Sequence, residues 1–416
     1  MTQETGWDES HQVQWMSSPE FIEVVLMALE QQQRPAQSVH LVDLHHRPGA
    51  GVSVVLEAVP TDGEEPFFLG ATTEPMDPAP EHVMVLSDRE PGDGTELRRV
   101  LLWLHPYDPK LPGLALTSVP ASVERIWGAG SPVTQLETLA YRPLRRAVLR
   151  ATFKNGQRLY LKALHRDADS LHRRHSLLLE AGVPAPAPVG QTVHGVVALR
   201  EAEGESLALA MSRVGTELPD AADLLALLDR LPHSLLTERR RESWSDRLPD
   251  YADAASVAFP SLQGRIVEVS QALTAQLAAV DPGPEEPVHG DLYEANVFVK
   301  GHRVSGLLDV DGAGPGYRVD DLACLLAHLA VLPQLDHRYQ VVPRYAALLD
   351  EDFVRYLRGR GIAAAALHAR VAAVVLTLVA GVHDEGHEDA EEVATQRVAI
   401  AEAQHRRAAV DLLTRA

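Results

Sequence analysis

One short β-rich segment, residues 286–312, interrupts a second half that otherwise has the pattern of helices. Apolar residues recur at helical spacing after residue 205, as in DAADLLALLDRL and YAALLDEDFVRYLRG. Before residue 205 most stretches are short and alternating or β-branched, with proline- and glycine-containing turns between them. This order predicts an α+β chain in which a β-rich half precedes a helical half that carries one β hairpin.

The β-rich insert also carries a spaced set of polar residues. Asp291 in the sequence HGDLYEAN is followed five positions later by Asn296, and a hairpin then returns the chain to Asp309. Phosphoryl transfer from a nucleotide needs one carboxylate near the attacking hydroxyl and oxygen ligands that hold Mg²⁺ on the phosphates. The spacing supplies these three groups from one loop and one turn, and it therefore predicts phosphoryl transfer.

This ordered set resembles the aminoglycoside phosphotransferase family, the small-molecule branch of the protein-kinase-like fold, over about residues 120–416. The matching residues are His289, Gly290, Asp291, Leu292, Asn296, Asp309, Asp321, Leu322 and Ala323. The resemblance implies that Asp291 is the catalytic base and that Asn296 and Asp309 bind Mg²⁺. It also implies that Asp321 ties the catalytic loop together, and a role as the N-cap of the following helix is compatible with this.

The resemblance further implies a nucleotide site in the β-rich half. Lys162 lies in the strand RLYLKAL, where alternation places it on the face opposite Leu161, and it would pair with the phosphates. Arg200, Glu201 and Ala202 correspond to the link between the lobes, where backbone groups would bind the base of ATP or GTP.

Two departures from the family pattern lie in the β-rich half. The loop after the first strand of this half, residues 141–146, is YRPLRR and not a glycine-rich loop, so the clamp over the phosphates must differ. Arg145 and Arg146 either contact phosphate or are solvated. The helix at 169–181 has no acid in its middle to pair with Lys162, and Glu180 is the only acid in its second half.

Three segments are predicted. Residues 1–118 form a small α+β cap, with a helix at 18–32 against a mostly antiparallel sheet, and the four prolines of residues 105–120 favour a linker. Residues 119–204 form a kinase-like β-rich lobe of about five strands and one helix, and residues 205–416 form a helical lobe. The additional cap resembles that of actinobacterial maltose and glucosamine kinases.

Composition limits the partners. The 58 acidic and 38 basic side chains give a formal charge of −20, which disfavours binding to nucleic acid or to anionic membranes. The N-terminal stretch lacks the pattern of a secretory signal, and the apolar run around residues 367–385 carries His368 and Arg370, as a buried helix would. A cytoplasmic location is expected.

The predicted function is ATP- or GTP-dependent and Mg²⁺-dependent phosphorylation of a hydroxyl on a small molecule. The expected acceptors are sugars, amino sugars and aminoglycoside-like metabolites. An acidic stretch at 384–392 either holds the ammonium groups of such an acceptor or is a solvated helix start. The alternative is a catalytically degenerate, kinase-like module that binds nucleotide or regulates a partner, which the missing glycine-rich loop favours.

Overall fold

The computed structural model describes residues 7–46, 51–89, 96–213, 215–387 and 389–413. The chain divides into two compact units, one formed by residues 1–172 with 188–201 and the other by residues 173–187 with 202–416. Antiparallel sheets and helices occur in both units, which confirms the predicted α+β class. The three predicted segment boundaries remain predictions.

The first unit begins with two helices and a five-stranded antiparallel sheet, here called the first sheet. Its strand order is β1-β2-β3-β5-β4. Side chains of the second helix, among them Phe21, Val25 and Leu29, are fully buried against the sheet. The elements are α1 (Glu9–Met16), α2 (Pro19–Gln31), β1 (Ala36–His46), β2 (Val52–Pro60), β3 (Phe67–Thr72), β4 (Met84–Arg89) and β5 (Glu96–Leu104).

The same unit contains a second antiparallel sheet, in the order β6-β7-β8-β9. The predicted number of about five strands is therefore too high by one, because residues 191–195 contribute only a bridge from Val193 to Val196. The elements are α3 (Pro112–Thr117), α4 (Pro120–Trp127), β6 (Val133–Arg142), β7 (Arg146–Phe153), β8 (Arg158–Leu164) and β9 (Val196–Arg200). Helix α5 (Ala168–Glu180) continues from this unit into the second one.

The linker predicted at residues 105–120 is wrong, because most of this segment is folded. Pro112 and Pro120 stand at the first turns of α3 and α4, where a proline costs no helical hydrogen bond and its fixed φ suits the helix. Leu114 and Trp127 of these helices are buried against the second sheet. The prolines thus mark helix starts and not a flexible connection.

The second unit is mainly helical. Its helices after α5 are α6 (Leu207–Met211), α7 (Ala221–Asp229), α8 (Leu248–Ala258), α9 (Gln263–Ala279), α10 (Arg318–Val331), α11 (Val342–Gly359), α12 (Ala364–Thr377) and α13 (Ala390–Leu413). Every residue of α12 is buried, and its arginine and histidine are paired, Arg370 with Asp320 and His368 with Asp350 and Asp411. The apolar run is therefore a core helix. In the described part of the chain, no helix has the length and apolar character that a membrane crossing requires.

Short strands frame the loops of this unit. They are β10 (Glu205–Ser206), β11 (Glu285–Val288), β12 (Val297–Lys300), β13 (Arg303–Leu307) and β14 (Gly314–Tyr317). Strand β12 pairs with β10 and β13, and β11 pairs with β14. The glycines of β14 allow close packing, since a Cβ at Gly316 would lie 2.5 Å from the Val288 side chain. The catalytic-loop sequence, residues 289–296, connects the two pairs.

Candidate active site

Asp321 fixes the start of the catalytic loop. Its two carboxylate oxygens accept hydrogen bonds from the backbone N–H groups of His289 and Gly290, at 2.7 and 2.8 Å. The side chain is only 1% exposed, and this burial raises the pKa of its carboxyl. The predicted tie is confirmed, whereas the N-cap role is wrong, because Tyr317 occupies that position of α10.

The catalytic loop and the segment around Asp309 touch through their backbones. Gly290 has a φ of +82°, and a Cβ there would lie 2.7 Å from the carbonyl oxygen of Gly312. The buried His289 imidazole donates from Nε2 to the carbonyl of Leu308, at 2.7 Å. Only glycine combines this left-handed conformation with the close approach, so Gly290 sets the separation of the two segments.

Asp291 has one side-chain oxygen engaged. Its Oδ1 accepts a 2.9 Å hydrogen bond from the indole Nε1 of Trp244, and its backbone carbonyl accepts from Nδ2 of Asn296 at 3.0 Å. The Arg247 guanidinium lies 4.2 Å from the centroid of the Trp244 ring, and Tyr251 packs on the same indole at 5.5 Å. The indole is therefore held in place, and Oδ2 is the carboxylate oxygen left to face a ligand.

Asn296 and Asp309 stand side by side at the base of the β12–β13 hairpin. The N–H of Leu308 donates to the backbone carbonyl of Asn296 at 2.8 Å, and Asp309 follows directly in a left-handed conformation with a φ of +53°. Because the amide nitrogen of Asn296 is used on a carbonyl, its amide oxygen is the atom that can face a cation. One carboxylate and one amide oxygen suit Mg²⁺.

This donor set is a partial one. Among the residues with described coordinates, no group of three or more His, Cys, Asp or Glu side chains could hold a metal ion. Mg²⁺ is commonly bound by one or two protein oxygens together with the phosphates of a nucleotide. Asn296 and Asp309 fit that arrangement better than a metal site made entirely of protein ligands.

Two aromatic side chains beside Asp291 are uncharged at neutral pH. Tyr293 stacks on His328, with ring centroids 4.5 Å apart. Burial raises the pKa of Tyr293 to about 12, and the carboxylates of Asp291 and Asp309 add to the effect. Burial also lowers the pKa of His328 to about 4. Both rings are therefore neutral, and the charge of this part of the loop comes from its carboxylates.

Glu294 is a buried acid within the catalytic loop. It is 5% exposed, and its Oε2 has no hydrogen-bond partner among the described residues. Burial raises the pKa of its carboxyl to about 7, against the opposing effect of its own backbone N–H. At neutral pH the side chain therefore exchanges a proton in the same loop as Asp291.

We expect the Glu294→Gln substitution to flatten the dependence of stability on pH. The pKa of Glu294 is higher in the folded chain than its ordinary 4.5, so wild-type stability falls as pH rises from about 4.5 to 7. Across this window the variant should avoid a loss of up to about 3 kcal/mol. Urea unfolding at pH 5 and pH 8 measures the difference.

The matched control for this prediction is Glu268→Gln, at an exposed position of α9. Asp320, whose pKa burial raises to about 6, contributes alike in all three proteins. An equal pH dependence in wild type and Glu294→Gln would contradict the assignment of this proton to Glu294.

Lys162 lies where strand alternation predicts. It is half-buried on β8, between Val148 of β7 and Val197 of β9 in the strand register. Its neighbours Leu161 and Ala163 are buried on the opposite face of the second sheet. The lysine is therefore on the face that the apolar core does not occupy.

The residues predicted to bind the base lie where the chain passes between the two units. Arg200 ends β9 and is exposed, as is Glu201. Glu201 accepts hydrogen bonds from Arg158 at 3.2 Å and from the Tyr160 hydroxyl at 3.4 Å. Ala202 begins the second unit.

In the middle of helix α5, where an acid that pairs with Lys162 would be expected, the chain has Arg174. Buried Arg174 donates to the carbonyl of Ala313, four residues after Asp309, at 2.7 Å, and its guanidinium lies 3.4 Å from the buried Glu238. Glu180 is exposed at the helix end. In the second unit, α5 therefore supports the segment after Asp309.

The acidic stretch at 384–392 has local partners where its side chains are described. Glu385 pairs with the buried Arg397 at 2.5 Å and with His387 at 2.9 Å. Asp389 accepts from the backbone N–H of Glu392 at the start of α13. Glu388 lies outside the described residues, as does the side chain of Asp384.

Trp244 and His328 are site residues that the sequence analysis did not identify. Trp244 belongs to the charged stretch ERRRESWSDR, where a single large aromatic residue was the available signal. His328 lies on α10 among apolar residues and matches no short motif. Trp244 bonds to Asp291 and His328 stacks on Tyr293 through tertiary packing, which local spacing does not encode.

Comparison with solved structures gives several distant matches. A thermostable aminoglycoside phosphotransferase mutant bound to ADP and hygromycin B is 16% identical, with a TM-score of 0.46 over 70% of this chain and 98% of its own. An amicoumacin kinase is 14% identical, with a TM-score of 0.45 over 66% of this chain and 88% of its own. A choline/ethanolamine kinase family protein from Mesorhizobium loti is 20% identical, with a TM-score of 0.44 over 70% and 96%.

Comparison of the sequence with known proteins gives one relative and one family. An uncharacterized protein of Deinococcus radiodurans is 36% identical over 110 residues, which are 26% of this chain and 30% of that protein. The profile of the phosphotransferase enzyme family matches residues 122–368, more than half of the chain, including the whole catalytic loop and the Asp309 segment. The chain therefore belongs to the phosphotransferase enzyme family.

Proposed function

We propose that the chain transfers the terminal phosphoryl group of ATP or GTP, with Mg²⁺, to a hydroxyl of a small molecule. The arrangement around Asp291 carries this proposal. One of its carboxylate oxygens is bound by Trp244, which leaves the other for a ligand, and Asn296 and Asp309 lie on adjoining backbone. This arrangement supports a role for Asp291 as proton acceptor and for Asn296 and Asp309 as oxygen ligands of a cation, the set that phosphoryl transfer requires.

Asp291 acts on the attacking hydroxyl. Its Oδ2 orients the acceptor O–H and takes the proton as the new oxygen–phosphorus bond forms. The bond from the terminal phosphorus to the bridging oxygen breaks, and the nucleoside diphosphate leaves with that electron pair. Trp244 holds Oδ1, so the carboxylate presents the same oxygen throughout.

The remaining proposed residues bind the nucleotide. Asn296 and Asp309 would hold Mg²⁺, which neutralises charge on the phosphates when bound. Lys162 would pair with phosphate oxygens, and backbone groups of residues 200–202 would contact the base. These assignments follow the family to which the chain belongs and the positions of the residues on β8 and β9.

The proposed acceptors are sugars, amino sugars or aminoglycoside-like metabolites, and the proposed location is the cytoplasm. The neutral rings of Tyr293 and His328 support a small-molecule acceptor with apolar faces, since small-molecule sites are lined mainly by apolar and aromatic side chains. The additional N-terminal segment, whose presence is a resemblance to maltose and glucosamine kinases, supports a metabolic sugar.

The deciding experiment measures nucleotide consumption with Mg²⁺ across free sugars, amino sugars, aminoglycosides and nucleoside antibiotics. Asp291→Ala serves as the blank. Turnover with one acceptor class that disappears in the blank would establish both the reaction and the acceptor. Nucleotide binding without turnover on any acceptor would instead favour a degenerate binding module.

We expect Trp244→Phe to reduce kcat by about tenfold, because a hydrogen bond to a charged group contributes about 1.5–3 kcal/mol. The phenyl ring keeps the packing against Arg247 but cannot donate to Asp291. The KM for nucleotide should stay unchanged. Steady-state kinetics test this. The control is Tyr251→Phe, because the Tyr251 hydroxyl is not bonded to Asp291. Equal kcat values in wild type and Trp244→Phe would refute the prediction.

A further inference from the structure

The loop that joins β6 to β7 lies next to the proposed phosphate-binding lysine. In the strand register Arg146 pairs with Leu164, two residues beyond Lys162 on β8. The N–H of His165 donates to the carbonyl of Arg145 at 3.1 Å, which fastens the loop to the end of the same strand. This is the loop that replaces a glycine-rich sequence in this chain.

The loop has an unusual anchor. Leu144 has a φ of +63°, a conformation that bulky residues avoid, and its side chain is fully buried. It packs in a cluster with Val83, Leu101 and Trp103, which all precede the second sheet. A strained backbone of this kind persists only where its surroundings hold it.

A hydrogen-bond network secures the same point. Oδ2 of the buried Asp108 accepts from the N–H of Leu144 and from the Tyr141 hydroxyl, both at 2.8 Å. The indole of Trp103 donates to the Tyr141 oxygen at 3.0 Å. Burial raises the pKa of Tyr141, and Asp108 adds to this, so the hydroxyl keeps its proton and donates.

Residues in and next to the first sheet accommodate this hydrogen-bond network. A Cβ at Gly70 of β3 would lie 2.4 Å from the Trp103 ring, so the glycine makes room for the indole. Glu74, which follows β3, binds Lys110 at 2.6 Å and the loop residue Arg145 at 3.4 Å. The loop therefore takes its shape from residues outside its own hairpin.

We infer that the first sheet positions the β6–β7 loop over the nucleotide phosphates, with Leu144 and Asp108 as the positioning residues. The inference rests on the proposed function. A glycine-rich loop is free to adopt many conformations, whereas this loop is held in one before nucleotide arrives. The first sheet thus fixes the conformation of this loop in advance.

The test is Leu144→Gly, which removes the anchor and relieves the left-handed backbone. If the released loop is competent for one tenth of the time, the apparent affinity for nucleotide falls about tenfold. We expect the KM for nucleotide to rise by that factor, with kcat at saturation nearly unchanged, in addition to a lower melting temperature from the loss of a buried side chain. A purely structural role would move the melting temperature and leave KM alone.

The matched control is Leu139→Gly, on exposed β6 of the same hairpin, which should keep the wild-type KM. Tyr141→Phe is a milder second variant that keeps the ring and removes the hydroxyl, which donates to Asp108 and accepts from Trp103, and a smaller rise in KM is expected. Equal nucleotide KM in folded Leu144→Gly, Tyr141→Phe and wild type would overturn the inference. Titration of the wild type with Mg²⁺ and nucleotide separates the two proposals, because absence of binding there refutes the proposed function itself.

Discussion

Asp291→Asn should lower kcat by about 10²–10⁴-fold, the usual contribution of a positioned general base. Asparagine has the same shape, and its Oδ1 can still accept from Trp244, while the bond from Asn296 goes to the backbone and is unaffected. The loop should therefore keep its structure. What is lost is the oxygen that takes the proton from the attacking hydroxyl.

Steady-state kinetics, with the acceptor identified in the nucleotide-consumption experiment, and nucleotide titration measure this effect. Nucleotide affinity in the presence of Mg²⁺ should remain at the wild-type level. Asp253→Asn, at an exposed position of α8, is the matched control for the change of charge. Full turnover by Asp291→Asn would remove Asp291 from the proposed mechanism.

Substitution of Asp309 should produce the complementary result, loss of Mg²⁺-dependent nucleotide binding. Asp309→Asn is the sharper variant, because asparagine tolerates the left-handed conformation that Asp309 adopts, whereas alanine adds backbone strain. Loss of a partner outside the metal's own ligands already costs about 10–100-fold in metal affinity, so removal of a ligand should cost at least about 100-fold.

Nucleotide titrations with Mg²⁺ and with EDTA test this prediction. In the wild type the two affinities should differ widely, and in Asp309→Asn and Asp309→Ala they should converge at the weaker value. Asp291→Asn serves as the comparison, since it should keep the metal dependence. A metal-dependent affinity that survives in both Asp309 variants would exclude Asp309 as a ligand.

The motif that directed the sequence analysis could be recognised because its parts are close in the chain. Asp291, Asn296 and Asp309 lie within one loop and one hairpin, and the Asp321 tie lies at a fixed distance beyond them. Family membership, the α+β class and the helix at the start of the chain are confirmed for the same reason. Local periodicity and short-range spacing determine these features.

The errors have a different origin. Proline both starts helices and breaks them, so composition alone could not show that Pro112 and Pro120 begin α3 and α4. The contact of Trp244 with Asp291 spans 47 residues, and that of Leu144 with Asp108 spans 36. Contacts over such distances are formed by packing, and one sequence contains no pattern that indicates them.

The backbone contact between Gly290 and Gly312 bears on the spacing of Asp291 and Asp309, which the reaction needs to keep constant. Asp291 and Asp309 belong to two segments that meet backbone to backbone at Gly290 and Gly312, so their spacing at this contact does not depend on the size of a side chain. Acceptor preference can therefore diverge, in nature or in the laboratory, through the surrounding helices. Asp291 and Asp309 would keep their relative positions while the acceptor substrate changes.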